Sequence, residues 1–264
     1  MGKNSSISWT HHTFSMWWGC DEVAEDPACM HCYAREFSKR LGNDLWGDKK
    51  PRKMNSERYW NDPLRWDCAA AKAGVQARVF CSSMSDIFED RRDLDAPRER
   101  LWKLVEQTPN LIWLLLTKRH DCIKRMIPAS WIQNPRPNVW MGITAANQKW
   151  ADERVPELLS VPAVIRWISA EPLVGPIDFS PWIRPDGLNW IVVGGESGHG
   201  ARRMDPAWVR DIKKQCKDNG AAFHFKQKGR VLAAELGCKD REGKKLEEWP
   251  PEFQVQDFPK VLAI

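Results

Sequence analysis

Short apolar runs that turn polar at their carboxyl ends constrain this chain more than any other feature. They fall at 13–18, 79–84, 112–117, 139–144, 164–169, 189–193 and 222–226. Between them lie helical patterns at 33–41, from Pro97 to 107, at 148–160 and at 206–219. Strand-length runs alternating with helices are the mark of a parallel sheet wrapped by helices. Pro156 is expected to break or kink the third helix, and Gly220 to stop the fourth.

Six or seven such units within residues 13–226 predict an α/β fold, a partial (β/α)6–7 TIM-like barrel. A complete eight-unit barrel takes about 250 residues on its own. A doubly wound open sheet is the alternative, and either architecture binds ligands at the carboxyl ends of its strands. The barrel is assigned to 1–228, with an insertion at 42–77 and no helix at 179–187. Residues 229–264 are read as a tail or hairpin packed on the barrel, turning near 240–243.

Polar residues gather at those carboxyl ends: a cysteine loop, then 82–86, Thr117 to Arg119, Thr144 to Asn147, Glu171, 194–197 and Lys226-Gln227. An apolar strand with a polar carboxyl end is a strand used for chemistry.

No apolar run reaches the roughly eighteen residues of a membrane helix. Met1 to Trp9 carry one lysine and no apolar core, so a signal peptide is not expected. The expected location is cytoplasmic, without membrane association. In that setting the eight cysteines point to thiols, metal or catalysis rather than disulfides. Cys68, Cys81, Cys122, Cys216 and Cys238 are scattered, as small buried apolar residues are. The net charge of +5 permits an anionic partner without requiring one. Sixteen tryptophans offer stacking surface for bases, although many fall in strand patterns that core packing explains. The basic run Lys49-Lys50-Pro51-Arg52-Lys53 reads as a solvated loop or a nucleic-acid contact.

Cys20, Cys29 and Cys32 form C-x8-C-x2-C between a strand and a helix. Soft sulfur ligands suit iron–sulfur clusters and zinc. A structural zinc site is closed by four ligands, and an ordinary cubane cluster by four cysteines. Three leave one iron open for a substrate or cofactor. The zinc alternative, a zinc-stabilised nucleic-acid-binding protein without catalysis, would recruit His31, His11 or His12. An ordinary barrel hydrolase would need a nucleophile–base pair, and no serine–histidine or cysteine–histidine arrangement stands out.

The segment Cys29-Met30-His31-Cys32-Tyr33-Ala34, following a strand and opening a barrel, resembles the radical-SAM superfamily. Over nearly its full length the chain also resembles a phage and bacterial family of three-cysteine barrels with no assigned reaction. That likeness is carried by Trp17-Trp18-Gly19-Cys20, Leu115-Leu116-Thr117-Lys118-Arg119, Ser169-Ala170-Glu171-Pro172-Leu173 and Val193-Gly194-Gly195-Glu196-Ser197-Gly198. A shorter likeness, at Ser82 to Asp86 and Glu171 to Asp178, is to the spore photoproduct lyase group. Two departures stand. The first cysteine gap is five residues longer than the usual C-x3-C-x2-C. The Gly-Gly-Glu motif follows the sixth strand instead of the second.

The resemblance implies a [4Fe–4S] cluster on Cys20, Cys29 and Cys32 whose open iron chelates S-adenosylmethionine. It implies reductive cleavage to a 5′-deoxyadenosyl radical and an electron donor of the flavodoxin or ferredoxin type. The substrate is read as a nucleic acid or nucleotide. His31 is expected near the adenine, Ser83 and Asp86 at the cofactor's amine or ribose, and Thr144 and Asn147 at its hydroxyls. Gly194 and Gly195 would allow close backbone approach, with Glu196 accepting a hydrogen bond. Lys118, Arg119 and Lys226 would face an anionic substrate or the cofactor carboxylate. Glu171 is read both as a cofactor contact and as a loop brace, while Ser83 and Asp86 also fit a turn cap.

Overall fold

A computed structural model describes residues 5–260. Its main sheet has seven strands: β1 His12–Phe14, β2 Ala77–Cys81, β3 Leu111–Thr117, β4 Val139–Thr144, β5 Ile165–Ala170, β6 Trp190–Gly194 and β7 Ala222–Gln227. They lie across the sheet in chain order. A doubly wound sheet reverses order at a switch point, and here there is no reversal. Parallel strands that always step the same way through right-handed crossovers collect their helices on one face. The fold is therefore α/β with a parallel, partial TIM-like barrel.

The longer helices are α1 Tyr33–Arg40, α2 Asp62–Ala73, α3 Asp95–Gln107, α4 Gln148–Leu159, α5 Pro206–Asn219 and α6 Arg230–Glu235. Among the described residues no helix is long and apolar enough to cross a membrane. The chain divides into two compact units. One comprises Met1–Val23, Ala34–Met141 and Val161–Val164; the other Ala24–Tyr33, Gly142–Ser160 and Ile165–Ile264.

In the first unit, β1 and β3 flank β2 in parallel register, with Phe14 beside Cys81 and Cys81 beside Leu115. Phe14 is fully buried, stacked on Tyr59 at 5.0 Å and edge-on to Trp113 at 5.8 Å. Burying a side chain of this size stabilises by about 1.5–3 kcal/mol. The strand expected over 13–18 ends at Phe14. The Ser15 hydroxyl takes the Met84 amide at 3.2 Å, and its carbonyl takes Asn55 Nδ2 at 2.6 Å. These bonds turn the chain out of the sheet, and Trp17–Trp18 pairs antiparallel with Lys53–Met54 as a separate ribbon. The stretch 42–77, read as an insertion, contains α2, which is the crossover between β1 and β2. Pro63 opens that helix and left-handed Gly74 closes it, the usual asymmetry of helix ends.

In the second unit, β6 pairs with β5 and β7. Trp167 and Trp190 meet at 5.3 Å in its core. Gly142 has no side chain because a Cβ there would stand 2.3 Å from the Trp167 ring. Helix α4 runs through Pro156 without breaking. The buried face of Ala151, Val155 and Leu158 holds the turns on either side. Helix α5 starts on Asp205 and Pro206 and stops at Gly220, φ +88°, as the sequence predicts. The tail contains α6 and a turn in which Gly243 donates to the Asp240 carbonyl at 3.0 Å. It then runs back along β7: Phe225 donates to Val255 O and Asp257 to Phe223 O, each at 2.9 Å. That covers a sheet edge otherwise open to strand addition. Residues 261–264 of the tail lie outside the described residues. Thirteen of the sixteen tryptophans are buried, which decides for core packing over a stacking surface in those thirteen.

Candidate functional site

In the first unit the site is built around Cys20. Gly19 precedes it with φ +109°, and a Cβ there would stand 2.6 Å from the Leu45 carbonyl. Only glycine lets the loop pass. Asp21 N donates to Glu89 Oε1 at 3.1 Å. Glu89 is in turn paired with buried Arg52, whose Nε lies 3.0 Å from Oε2. Arg52 also donates to the carbonyls of Leu45 at 3.1 Å and Lys50 at 2.8 Å. The basic run 49–53 is therefore not uniformly solvated: Arg52 is an internal brace for the cysteine loop.

Above Cys20 sits Arg119. Its Nη1 is 3.7 Å from Cys20 Sγ and its Nη2 donates to Asp21 O at 2.9 Å. Asp86 holds the guanidinium at 3.2 Å. The same carboxylate accepts from Thr117 Oγ1 at 2.7 Å, Phe88 N at 3.0 Å and Lys118 N at 3.0 Å. Burial alone would push Asp86 up, but Arg119 and these donors hold it below its ordinary 3.8. Burial likewise pushes the Cys20 thiol up, with Arg119 pulling against it. Asp86 and Arg119 were expected to reach a cofactor or substrate. The structure gives both oxygens of Asp86 to the protein and aims Arg119 at a cysteine. Ser83, also buried, lies in the same turn; Lys118 reaches Asp86 through its backbone.

The second unit carries Cys29, His31 and Cys32 in its segment Ala24–Tyr33. Pro27–Met30 forms one helical turn capped by Asp26, which accepts from Ala28 N at 2.7 Å. The other Asp26 oxygen binds Arg154 Nη2 at 2.7 Å, with both side chains fully buried. Arg154 also donates to the Thr144 carbonyl at 2.8 Å and lies over the Trp150 ring at 4.1 Å. Asn147, expected at a ribose, caps α4 through Trp150 N at 3.2 Å. Thr144 is buried and serves here through its carbonyl.

Glu196 binds the same segment from the end of β6. It lies 3.2 Å from His31 Nδ1 and 2.5 Å from Arg202 Nη2, and Arg202 donates onward to Pro27 O at 2.6 Å. Burial would raise Glu196, yet its Arg202 and His31 contacts keep it below the usual 4.5. It is an acceptor for protein donors, orienting His31.

Gly194 and Gly195 do allow close approach, to this chain's own groups. A Cβ on Gly194 would meet Glu171 Oε1 at 2.6 Å; one on Gly195 would meet the Lys228 carbonyl at 2.2 Å. Glu171 in turn pairs with Lys226 at 2.8 Å and accepts from Ser169 Oγ at 3.3 Å. So Glu171, Gly194 and Lys226 come together at the ends of β5, β6 and β7.

Cys20, Cys29 and Cys32 are half-buried and in no disulfide. Among the described residues no group of three or more His, Cys, Asp and Glu is gathered for a single metal ion. A closed zinc tetrahedron, with every sulfur about 2.3 Å from one centre, is thus not preformed. By the chemistry of their sulfurs alone, thiolates suit iron–sulfur clusters and zinc alike.

The family described as protein of unknown function (DUF5131) matches residues 4–251. The chain belongs to that family. No curated protein sequence matches it. Solved structures of substituted forms of spore photoproduct lyase are similar. One, with bound AdoMet and dinucleoside spore photoproduct, has a TM-score of 0.45 at 12% identity over 94% of this chain and 66% of that one. Another has a TM-score of 0.45 at 12% identity over 85% and 58%. The chain spans 58–66% of the length of those structures.

Sequence reasoning overlooked Asp26, Glu89, Arg154 and Arg202, and placed Arg52 only in a solvated loop or a nucleic-acid contact. Asp26 alone carried a local signal, an aspartate directly before proline at the start of a helical turn. The rest act through partners far along the chain, apart from the Arg202 pair with Glu196 six residues before it.

Proposed function

We propose that this member of the DUF5131 family is a radical-SAM-type enzyme. In this reading Cys20, Cys29 and Cys32 hold a [4Fe–4S] cluster whose fourth iron takes S-adenosylmethionine. One observation carries it: three cysteines, and no more, none of them in a disulfide, fall between the first strand and first long helix of a sequentially ordered parallel sheet. Ligands of such sheets sit at the carboxyl ends of the strands, and an open position is what separates this donor set from an ordinary closed cluster.

When bound, the cluster supplies the electron that cleaves the sulfonium of S-adenosylmethionine. The chain itself positions and shields. Asp26 and Arg154 hold the 24–33 segment, and Glu196 keeps Nδ1 of His31 turned inward, leaving Nε2 as the nitrogen free to face a ligand. Glu171 and Lys226 place a charged pair at the strand ends, and the ammonium retains donors for a carboxylate. The substrate is a nucleic acid or nucleotide in this reading, supported by the +5 net charge and by the exposure of Lys39, Arg40, Lys49, Lys53 and Phe37.

The test is purification without oxygen, assay of iron and sulfide, then addition of dithionite and S-adenosylmethionine. Iron, sulfide and release of 5′-deoxyadenosine are expected. Zinc in place of iron ends the proposal. Binding of single-stranded oligonucleotide that weakens steeply with salt is expected for the substrate class.

A further inference from the structure

We infer that Arg119 is a positioning residue for the cluster, a fixed positive charge on the Cys20 sulfur that raises the cluster's reduction potential. This rests on the function proposed above and assigns a purpose to the Leu115-Leu116-Thr117-Lys118-Arg119 motif.

The guanidinium is anchored on two sides. Asp86 binds it at 3.2 Å, and the Asp21 carbonyl accepts from Nη2 at 2.9 Å. Nη1, the nitrogen that Asp86 holds, also faces Cys20 Sγ from 3.7 Å. The anchor is itself rigid, because Asp86 is buried and takes Thr117, Lys118 and Phe88 as well. The Arg119 amide is also tied, donating to Thr117 Oγ1 at 2.8 Å. A side chain so committed, and only 15% exposed, has little freedom to follow an incoming anion. Its one interaction of chemical consequence is with a cysteine sulfur.

Hydrogen bonds and charge beside the sulfurs are among the main settings of an iron–sulfur potential. Reduction adds one negative charge to the cluster. A neighbouring cation stabilises the reduced form more than the oxidised form, so the potential rises. The guanidinium also remains charged throughout any working range, so the effect does not titrate away.

The experiment is a redox titration of the anaerobically purified holoprotein without S-adenosylmethionine, followed by absorbance and electron paramagnetic resonance. Wild type is compared with Arg119→Lys, Arg119→Gln and the double change Asp86→Asn with Arg119→Gln. The double variant avoids stranding a buried carboxylate should the single one fail to fold. At a fixed poise Arg119→Gln is expected to show about a tenfold lower ratio of reduced to oxidised cluster, which is about 59 mV for a one-electron couple, and the double variant, which loses the opposing Asp86 charge as well, a smaller drop in the same direction. Arg119→Lys should lie near wild type. Equal potentials in all forms, with iron content intact, overturn the inference and leave the proposed function standing. Unchanged potential with weakened S-adenosylmethionine binding in the neutral variants overturns it too, and makes Arg119 a cofactor ligand. Wild type lacking iron and sulfide overturns the underlying reading instead.

Discussion

The loop around Cys20 and the segment that carries Cys29 and Cys32 are both held by buried arginine–carboxylate pairs, but the pairs act on different atoms. At Cys20, Arg119 reaches the sulfur itself and Asp86 fixes the arginine. In the 24–33 segment the arginines take backbone and carboxylate: Arg154 binds Asp26, and Arg202 binds Pro27 O and Glu196. One arrangement sets a positive charge against a sulfur. The other fixes where a short helical turn begins and which way His31 faces. A buried ion pair is a poor source of net stability, since desolvation offsets most of the attraction. Its worth here lies in specifying geometry, and its cost appears when one partner is removed.

That gives the largest expected effect. Arg154→Met leaves Asp26 charged, fully buried and without its partner, which costs about 3–5 kcal/mol. The expected reading is a lower denaturant midpoint with an unchanged slope. A loss no greater than that of a surface substitution would mean Asp26 is not the anchor of the 24–33 segment.

Next come the two neighbouring glycines, which test whether contacts at the β6 end are with backbone or side chain. At Gly195 an added methyl collides with the Lys228 backbone at 2.2 Å, and Gly229 stands just behind it. Such overpacking costs about 1–3 kcal/mol. At Gly194 the obstacle is the end of the Glu171 side chain, which can swing aside, loosening its hold on Lys226. Gly195→Ala should therefore lower the melting temperature more than Gly194→Ala. The reverse order would show that the Glu171–Lys226 pair is the stiffer feature.

These contrasts also mark what local pattern can and cannot carry. Strand order, the limits of α5 and the positions of the carboxyl ends were legible, because apolar periodicity, Asp205-Pro206 and Gly220 are local signals. The exit of the chain at Ser15 was not, since it depends on Met84 and Asn55, far along the sequence. The same holds for the candidate site. The three cysteines announced themselves by spacing, whereas Arg52 sat in a run read as a solvated loop or a nucleic-acid contact and Arg154 and Arg202 drew no reading. Burying an arginine requires acceptors brought in by other elements, and nothing in the residues beside it records them. Asp86 and Asn147 were picked for being polar at strand ends. Position was right, but the groups they serve belong to the protein.

A smaller effect is expected at Glu196, where acidity reports on the His31 side of the comparison. Its carboxyl titrates below the usual 4.5 in the folded protein. A carboxylate with a depressed value adds stability that is complete above its unfolded pKa and fades as pH falls through the folded one. Wild type should therefore lose stability from about pH 5 downward, and Glu196→Gln should remove part of that slope. Thermal melts across the acid range measure it. An identical slope in the variant would mean Arg202 and His31 do not hold the carboxylate charged.

The smallest effect serves as the control. Lys149 and Glu25 pair at 3.2 Å on the same cysteine segment, but their side chains are 62% and 80% exposed. Water screens such a pair and two long side chains must be ordered to make it, so exposed pairs contribute about 0–1 kcal/mol. Lys149→Ala should shift the denaturant midpoint barely at all, although it touches the segment that Arg154 anchors. If it instead cost as much as Arg154→Met, burial would not be what distinguishes the anchors from the surface. The contrast between the sulfur-directed and backbone-directed arginines would then have to rest on sequence position alone.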